Sequence, residues 1–120
     1  MQIIKNFING AFVEGVDGKT FEKRSPLTNE VIATVHEAGR ADVDQAVMAA
    51  RQALHGEWGA LAMEQRVDLL YGVANEITRR FEDFVAAEMA DTGQPRHVMT
   101  HAFLPRGAAH FKVFADVVKN

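Results

Sequence analysis

Two histidines, His97 and His101, stand four residues apart. On a helix that spacing puts both imidazoles on one face, as in many transition-metal sites. The residues between them are Val98, Met99 and Thr100, so the glutamate of a zinc-protease helix is absent and spacing points to no third ligand. A pair of surface histidines is the simpler reading. Carboxylates at Asp42, Asp44, Glu82, Asp83 and Glu88 sit where they complement a helix dipole or solvate a helix face; they do not form an evident acid and base pair. The chain has no cysteine, which excludes a thiol nucleophile, a thiolate metal site and a disulfide within these residues. Gly10, Gly15 and Gly18 do not spell a dinucleotide fingerprint, and no strand, glycine loop and helix unit surrounds them.

Composition narrows the partners. With 120 residues, 48% apolar and 24% charged, the chain has the make-up of a globular domain or a piece of one. Its net charge of −3 argues against nucleic acid, because phosphate binding favours a basic surface. The pair Arg79 and Arg80 reads as part of a solvated helix face. No stretch approaches the roughly 20 apolar residues that span a bilayer. The opening residues lack the long apolar core of a secretory signal, so a cytoplasmic protein without a membrane partner is expected.

The elements that must position any site divide into strands first and helices afterwards. Phe7 to Val13 holds two short apolar runs around Asn9-Gly10, residues that tolerate the positive φ of a type I′ turn, which predicts a hairpin. Thr20 to Arg24 and Val31 to His36 form a second hairpin-like pair across a turn at Pro26 to Glu30. From Ala41 the apolar period changes to three and four residues: Val43, Ala46, Val47, Ala50 and Leu54 mark one amphipathic helix that Gly56 ends. A second runs over Met63 to Arg79 with Val67, Leu70, Val73, Ala74 and Ile77 on one face. Phe81, Phe84, Val85 and Met89 carry a third, which Gly93 and Pro95 stop. The last helix is expected to start near Pro105 and to bury Ala108, Phe111, Phe114, Ala115 and Val118. Two short hairpins cannot cover four apolar helix faces, so a further layer, a parallel sheet by preference, is expected outside these residues.

The order of segments resembles the start of the aldehyde dehydrogenase superfamily. Phe7-Ile8-Asn9-Gly10 is similar to its opening segment. Ser25-Pro26-Leu27-Thr28-Asn29-Glu30-Val31-Ile32-Ala33 is similar to its turn and following strand. Asp42 to Val47 with Ala49-Ala50-Arg51 resembles its first helix. Trp58, Arg66 and Leu70 match a later pattern, and Ala90-Asp91-Thr92-Gly93-Gln94-Pro95 matches another. The final run, Leu104 to Asn120, and Gly39-Arg40-Ala41 resemble one branch, the 2-hydroxymuconic semialdehyde dehydrogenases of aromatic meta-cleavage catabolism. Four positions depart from the pattern: Asn29 stands for a turn glycine, Ala62 for a Ser or Thr cap that leaves Gln65 without its capping-box partner, Gln94 for a Lys, and His110 for an Asn.

The resemblance implies an α/β fold, with residues 1–120 forming the N-terminal part of an NAD(P)-binding domain: two β-hairpins followed by about four helices, the outer part of a Rossmann-like cofactor domain. It implies oxidation of a small aldehyde carrying a carboxylate, by a Cys thiolate and a Glu expected beyond Asn120, with NAD as hydride acceptor held mainly by residues beyond this chain. No catalytic or NAD-binding residue is assigned here, and the 120 residues alone are expected to be inactive. Arg106 is assigned to the substrate's distal carboxylate, since a guanidinium fork matches that group. A first-turn position after Pro105 would add the pull of a positive helix end. Asp91, with the backbone carbonyl at Arg24, is assigned to a monovalent cation. The intact enzyme is expected to be a homo-oligomer. Two alternatives stay open. One is another aldehyde dehydrogenase, of the betaine aldehyde or 5-carboxymethyl-2-hydroxymuconic semialdehyde type. The other is a non-catalytic structural or interaction module whose apolar faces are covered by self-association.

Overall fold

The computed structural model describes residues 2–119. The chain forms two compact units that divide between Ala60 and Leu61.

In the first unit, strands β1 (Gln2–Ile4), β2 (Asn6–Ile8), β3 (Ala11–Val13), β4 (Thr20–Arg24) and β5 (Val31–His36) precede helices α1 (Arg40–His55) and α2 (Glu57–Ala60). The first hairpin is the expected one. Strands β2 and β3 pair antiparallel with Ile8 opposite Ala11, and Asn9 and Gly10 both take positive φ, 51° and 79°. That is the backbone of a type I′ turn. Phe7 and Phe12 face each other across it with ring centroids 5.0 Å apart. They are exposed, so this pair is not the core contact that aromatic residues usually make. The second hairpin, β4 with β5, is also present, and Asn29 takes a φ of 61° in its turn. Asn therefore fills the turn-glycine position in the left-handed conformation. Strand β1 escaped the sequence pattern. It pairs parallel to β5, giving a three-stranded mixed sheet in the order β1-β5-β4. Three residues are too few to show an alternation.

Helix α1 is held at its start by Asp42. Its first-turn position complements the helix dipole as the sequence implies, but the side chain is 2% exposed rather than solvated: its two carboxylate oxygens accept hydrogen bonds from the Val16 amide at 3.0 Å and the Gly39 amide at 2.8 Å. The first ties the loop after β3 to the helix; the second caps the helix's own entry. Two glycines permit the close approach. A Cβ on Gly15 would lie 2.4 Å from the Glu37 carbonyl oxygen, and one on Gly39 would lie 2.9 Å from the Asp17 carboxylate. Val43, Val47 and Leu54 on α1 are exposed.

In the second unit, α3 (Met63–Arg79) and α4 (Phe81–Thr92) are followed by a helical column over residues 96–119. The column begins as the short α5 (Arg96–Val98), widens into a π turn over Met99–Phe103 and continues as α6 (Leu104–Lys119) without a break. Helix α4 ends as expected at Gly93, whose φ is 70°. The departure at Ala62 has the expected effect on the start of α3: Ala62 supplies no side-chain acceptor, and Gln65 keeps only its own half of the box, its Oε1 accepting the Ala62 amide at 2.9 Å. The missing partner therefore costs one bond of two.

Val85, Met99 and Leu104 form a buried cluster, with Phe81, Phe84, Met89 and Val98 against it. Helix α6 packs along α3, where Val67 and Ala74 meet a face that buries Ala108 and Ala115. Phe111, Phe114 and Val118 were expected on that buried face but are exposed. Small side chains bring the two helices close, and the larger ones at neighbouring positions are turned outward. The Tyr71 hydroxyl on α3 donates to Asp116 on α6. That hydrogen bond to the carboxylate is the main cause that raises the Tyr71 pKa above the usual phenol value. Among the described residues no helix is long and apolar enough to cross a membrane.

Removing the Asp42 carboxylate leaves the Val16 and Gly39 amides without acceptors. We predict that Asp42→Ala lowers stability by about 2–4 kcal/mol, the scale of two charge-assisted bonds from part-buried amides to a buried carboxylate. Asp44→Ala, at an exposed position with a loose 3.8 Å contact to Arg40, should cost less than about 0.5 kcal/mol. Denaturant midpoints of the two variants in the protein that carries this chain decide the point; equal shifts would contradict it.

Candidate functional site

The π turn sets the frame of the site. Pro105 has no amide hydrogen, and in a regular α-helix its ring would press on the carbonyl four residues back, at His101. The Leu104 amide instead reaches the Met99 carbonyl, five residues back. This wider turn takes up the proline while the helix continues. The correction for Arg106 follows. It does not lie in the first turn of a free helix, because the column starts at Arg96 after Pro95. The unpaired amides of the helix start are near Pro95, so no positive helix end assists Arg106. What remains is the guanidinium itself. Arg106 is exposed and makes no hydrogen bond or ion pair among the described residues.

Beyond Arg106 along α6 lies an open apolar groove of about 460 Å³, lined by Leu70 of α3 and by Gly107, His110, Phe111 and Phe114 of α6. Among the described residues His110 supplies the polar side chain of its lining. Its ring meets Phe114 edge-on, with centroids 6.4 Å apart and planes at 69°. The groove was not anticipated from the sequence, because Phe111 and Phe114 follow a period that reads as buried core. The glycine at 107 and the unexpected histidine at 110 were the available signals.

The two spaced histidines do come together. The rings of His97 and His101 stack with centroids 4.4 Å apart. The His101 Nδ1 lies 2.9 Å from the His97 carbonyl oxygen, to which it can only donate. Thr100 Oγ1 donates to the Arg96 and His97 carbonyls. Among the described residues no group of three or more His, Cys, Asp or Glu side chains is placed to hold a metal ion.

The proposed cation ligands fall one in each unit. Arg24 ends β4, and its guanidinium donates to Glu22 at 2.5 Å and to the Asn29 carbonyl at 3.0 Å. Asp91 is exposed in the last turn of α4, where the Gly93 amide closes on the Met89 carbonyl and Thr92 Oγ1 on the Glu88 carbonyl. The remaining charges behave as a solvated surface. Arg79 pairs with Glu76 at 2.6 Å, Arg80 with Asp83 at 3.2 Å and Arg96 with Glu82 at 2.6 Å. The Arg79 contact is the chief cause that holds the Glu76 carboxyl below its usual pKa.

No dinucleotide cradle is present among the described residues. The start of α1 is taken by the Asp42 carboxylate and the amide before α3 by Gln65, and no glycine-rich strand-to-helix turn is found among the described residues. These residues do not fit a nicotinamide cofactor, and no step through one is derived from them.

Comparison with known proteins agrees with the order of elements. The model of the aldehyde dehydrogenase family matches residues 12–120. The whole chain is 55% identical to 25% of a 2-hydroxymuconic semialdehyde dehydrogenase from Pseudomonas sp. (strain CF600). Over 98% of its length it is 48% identical to 24% of a 2-aminomuconic 6-semialdehyde dehydrogenase from Pseudomonas sp.. A solved NAD+ complex of an aldehyde dehydrogenase from Bacillus cereus superimposes on 96% of the chain with a TM-score of 0.92 and 36% identity, covering 24% of that protein. The chain thus spans about a quarter of the length of the relatives it matches. With the hairpins, the helix order and the match in agreement, the chain belongs to the aldehyde dehydrogenase family.

Proposed function

We propose that the protein carrying this chain is an NAD-dependent dehydrogenase that oxidises 2-hydroxymuconic semialdehyde to the corresponding acid in aromatic meta-cleavage catabolism. The observation that carries this reading is the similarity over the whole chain to a 2-hydroxymuconic semialdehyde dehydrogenase. In this reading residues 1–120 are the N-terminal part of the cofactor-binding domain. The thiol, the general base and the NAD cradle belong to parts outside these residues. The protein works in the cytoplasm as a homo-oligomer.

Arg106 receives the substrate carboxylate. Its guanidinium supports the role by being exposed and uncommitted among the described residues, and a planar fork can grip both carboxylate oxygens at once. An arginine already held in an ion pair could not do so without breaking it. Asp91 is proposed as a ligand of a monovalent cation on the family resemblance, and the negative end of α4 beside it favours a positive ion there.

Two outcomes are expected. In the full-length enzyme Arg106→Ala should lower kcat/KM for the carboxylated semialdehyde by roughly ten- to a hundredfold, the scale of one lost charge-assisted contact. A neutral aldehyde of similar length should be little affected. Equal losses for both substrates would make Arg106 structural. Asp91→Ala should weaken the dependence of activity on added potassium or sodium; an unchanged dependence would remove the cation role.

A further inference from the structure

Among the described residues the groove beside Arg106 has apolar walls and a polar side chain, His110, in its lining. Leu70, Phe111 and Phe114 suit a flat, unsaturated carbon skeleton, and Gly107 opens the wall nearest Arg106. Arg106 and His110 stand four residues apart on α6, a spacing that makes side chains neighbours on one helix face, about 5–6 Å apart at Cβ. A carboxylate held by Arg106 would therefore bring the adjoining carbon of the ligand toward the His110 imidazole. The imidazole meets the Phe114 ring edge-on, a contact that favours one orientation of its ring. An imidazole offers one donor and one acceptor in its neutral form. It can pair with a hydroxyl or an amino group, but not with a bare C–H.

We propose that His110 is a specificity-determining residue that reads the substituent on the carbon next to the substrate's carboxylate. This rests on the semialdehyde reading above and goes beyond it, because Arg106 alone distinguishes carboxylated from neutral aldehydes and is blind to the neighbouring carbon. The compounds it separates are muconic-type semialdehydes with a 2-hydroxyl or 2-amino group from those with hydrogen there. The names of the two relatives compared above differ at just that substituent.

The test uses the full-length enzyme and two substrates, 2-hydroxymuconic semialdehyde and the semialdehyde of muconic acid without a 2-substituent. His110→Ala should raise KM for the hydroxylated substrate about three- to tenfold, the scale of one neutral hydrogen bond, with kcat little changed. The unsubstituted substrate should shift less than twofold. His110→Asn keeps a donor and an acceptor and should recover most of the preference, a rescue that a merely structural histidine would not predict. Thermal melting of each variant, with binding of the product 2-hydroxymuconate by calorimetry, keeps the test valid if turnover falls for other reasons. Equal shifts for the two substrates, or none, overturn the role of His110. If the unmodified enzyme does not oxidise 2-hydroxymuconic semialdehyde, the semialdehyde reading falls as well; if it does, and Arg106→Ala loses the selectivity for carboxylated aldehydes, only the His110 inference falls.

Discussion

A proline without an amide hydrogen sits inside the helical column that carries the candidate site. Pro105 ought to end or kink a regular helix, at a cost of about 3 kcal/mol or more. The chain answers with a π turn over Met99–Phe103, and the column runs on to Lys119. Met99 and Leu104, at either end of that turn, are both buried against Val85 of α4. The π turn is thereby held at both ends by a buried cluster of the second unit. π turns inserted in α-helices recur at functional sites, and here the residues just beyond the insertion are Arg106, Gly107 and His110. The insertion re-aims the following helix, so it decides which face of α6 presents these side chains beside the groove.

The first unit depends on a different constraint, a buried carboxylate. Asp42 joins the loop at Val16 to the start of α1 through two backbone amides. Gly15 and Gly39 are small because neighbouring oxygens occupy the space a side chain would need. Both units keep substantial apolar surface outward. Phe7, Phe12, Leu54, Phe114 and Val117 are among the exposed side chains, consistent with a chain that matches only about a quarter of its relatives' length. Family members of known structure continue well beyond the matched region.

Much of this was legible in the residues. The Asn9-Gly10 turn, the left-handed Asn29, helix α3 and the Gly93 stop all follow from local backbone chemistry, where a single residue type has a strong conformational preference. Strand β1 was invisible because its partner β5 is about thirty positions away, and short strands owe their pairing to tertiary context. The burial of Asp42 was hidden for a similar reason: a carboxylate in a first helical turn looks the same whether it faces water or a loop from elsewhere in the chain. At Pro105 a sound local rule, that proline opens helices, pointed to a helix start. Packing of Met99 and Leu104 overrode it. The apolar period of α6 was read correctly as amphipathic, but periodicity cannot tell a face buried within these residues from one that borders a groove.

The central claim is that the start of α6 forms the acid-recognising end of a substrate site. A structure of the full-length enzyme with 2-hydroxymuconate bound tests it most directly. The account predicts one carboxylate within about 3 Å of the Arg106 guanidinium nitrogens, the 2-hydroxyl at hydrogen-bond distance from the His110 ring, and the carbon chain against Phe111 and Phe114. A ligand whose carboxylates are both held elsewhere, with Arg106 turned to solvent or paired to a carboxylate of the protein, would contradict it.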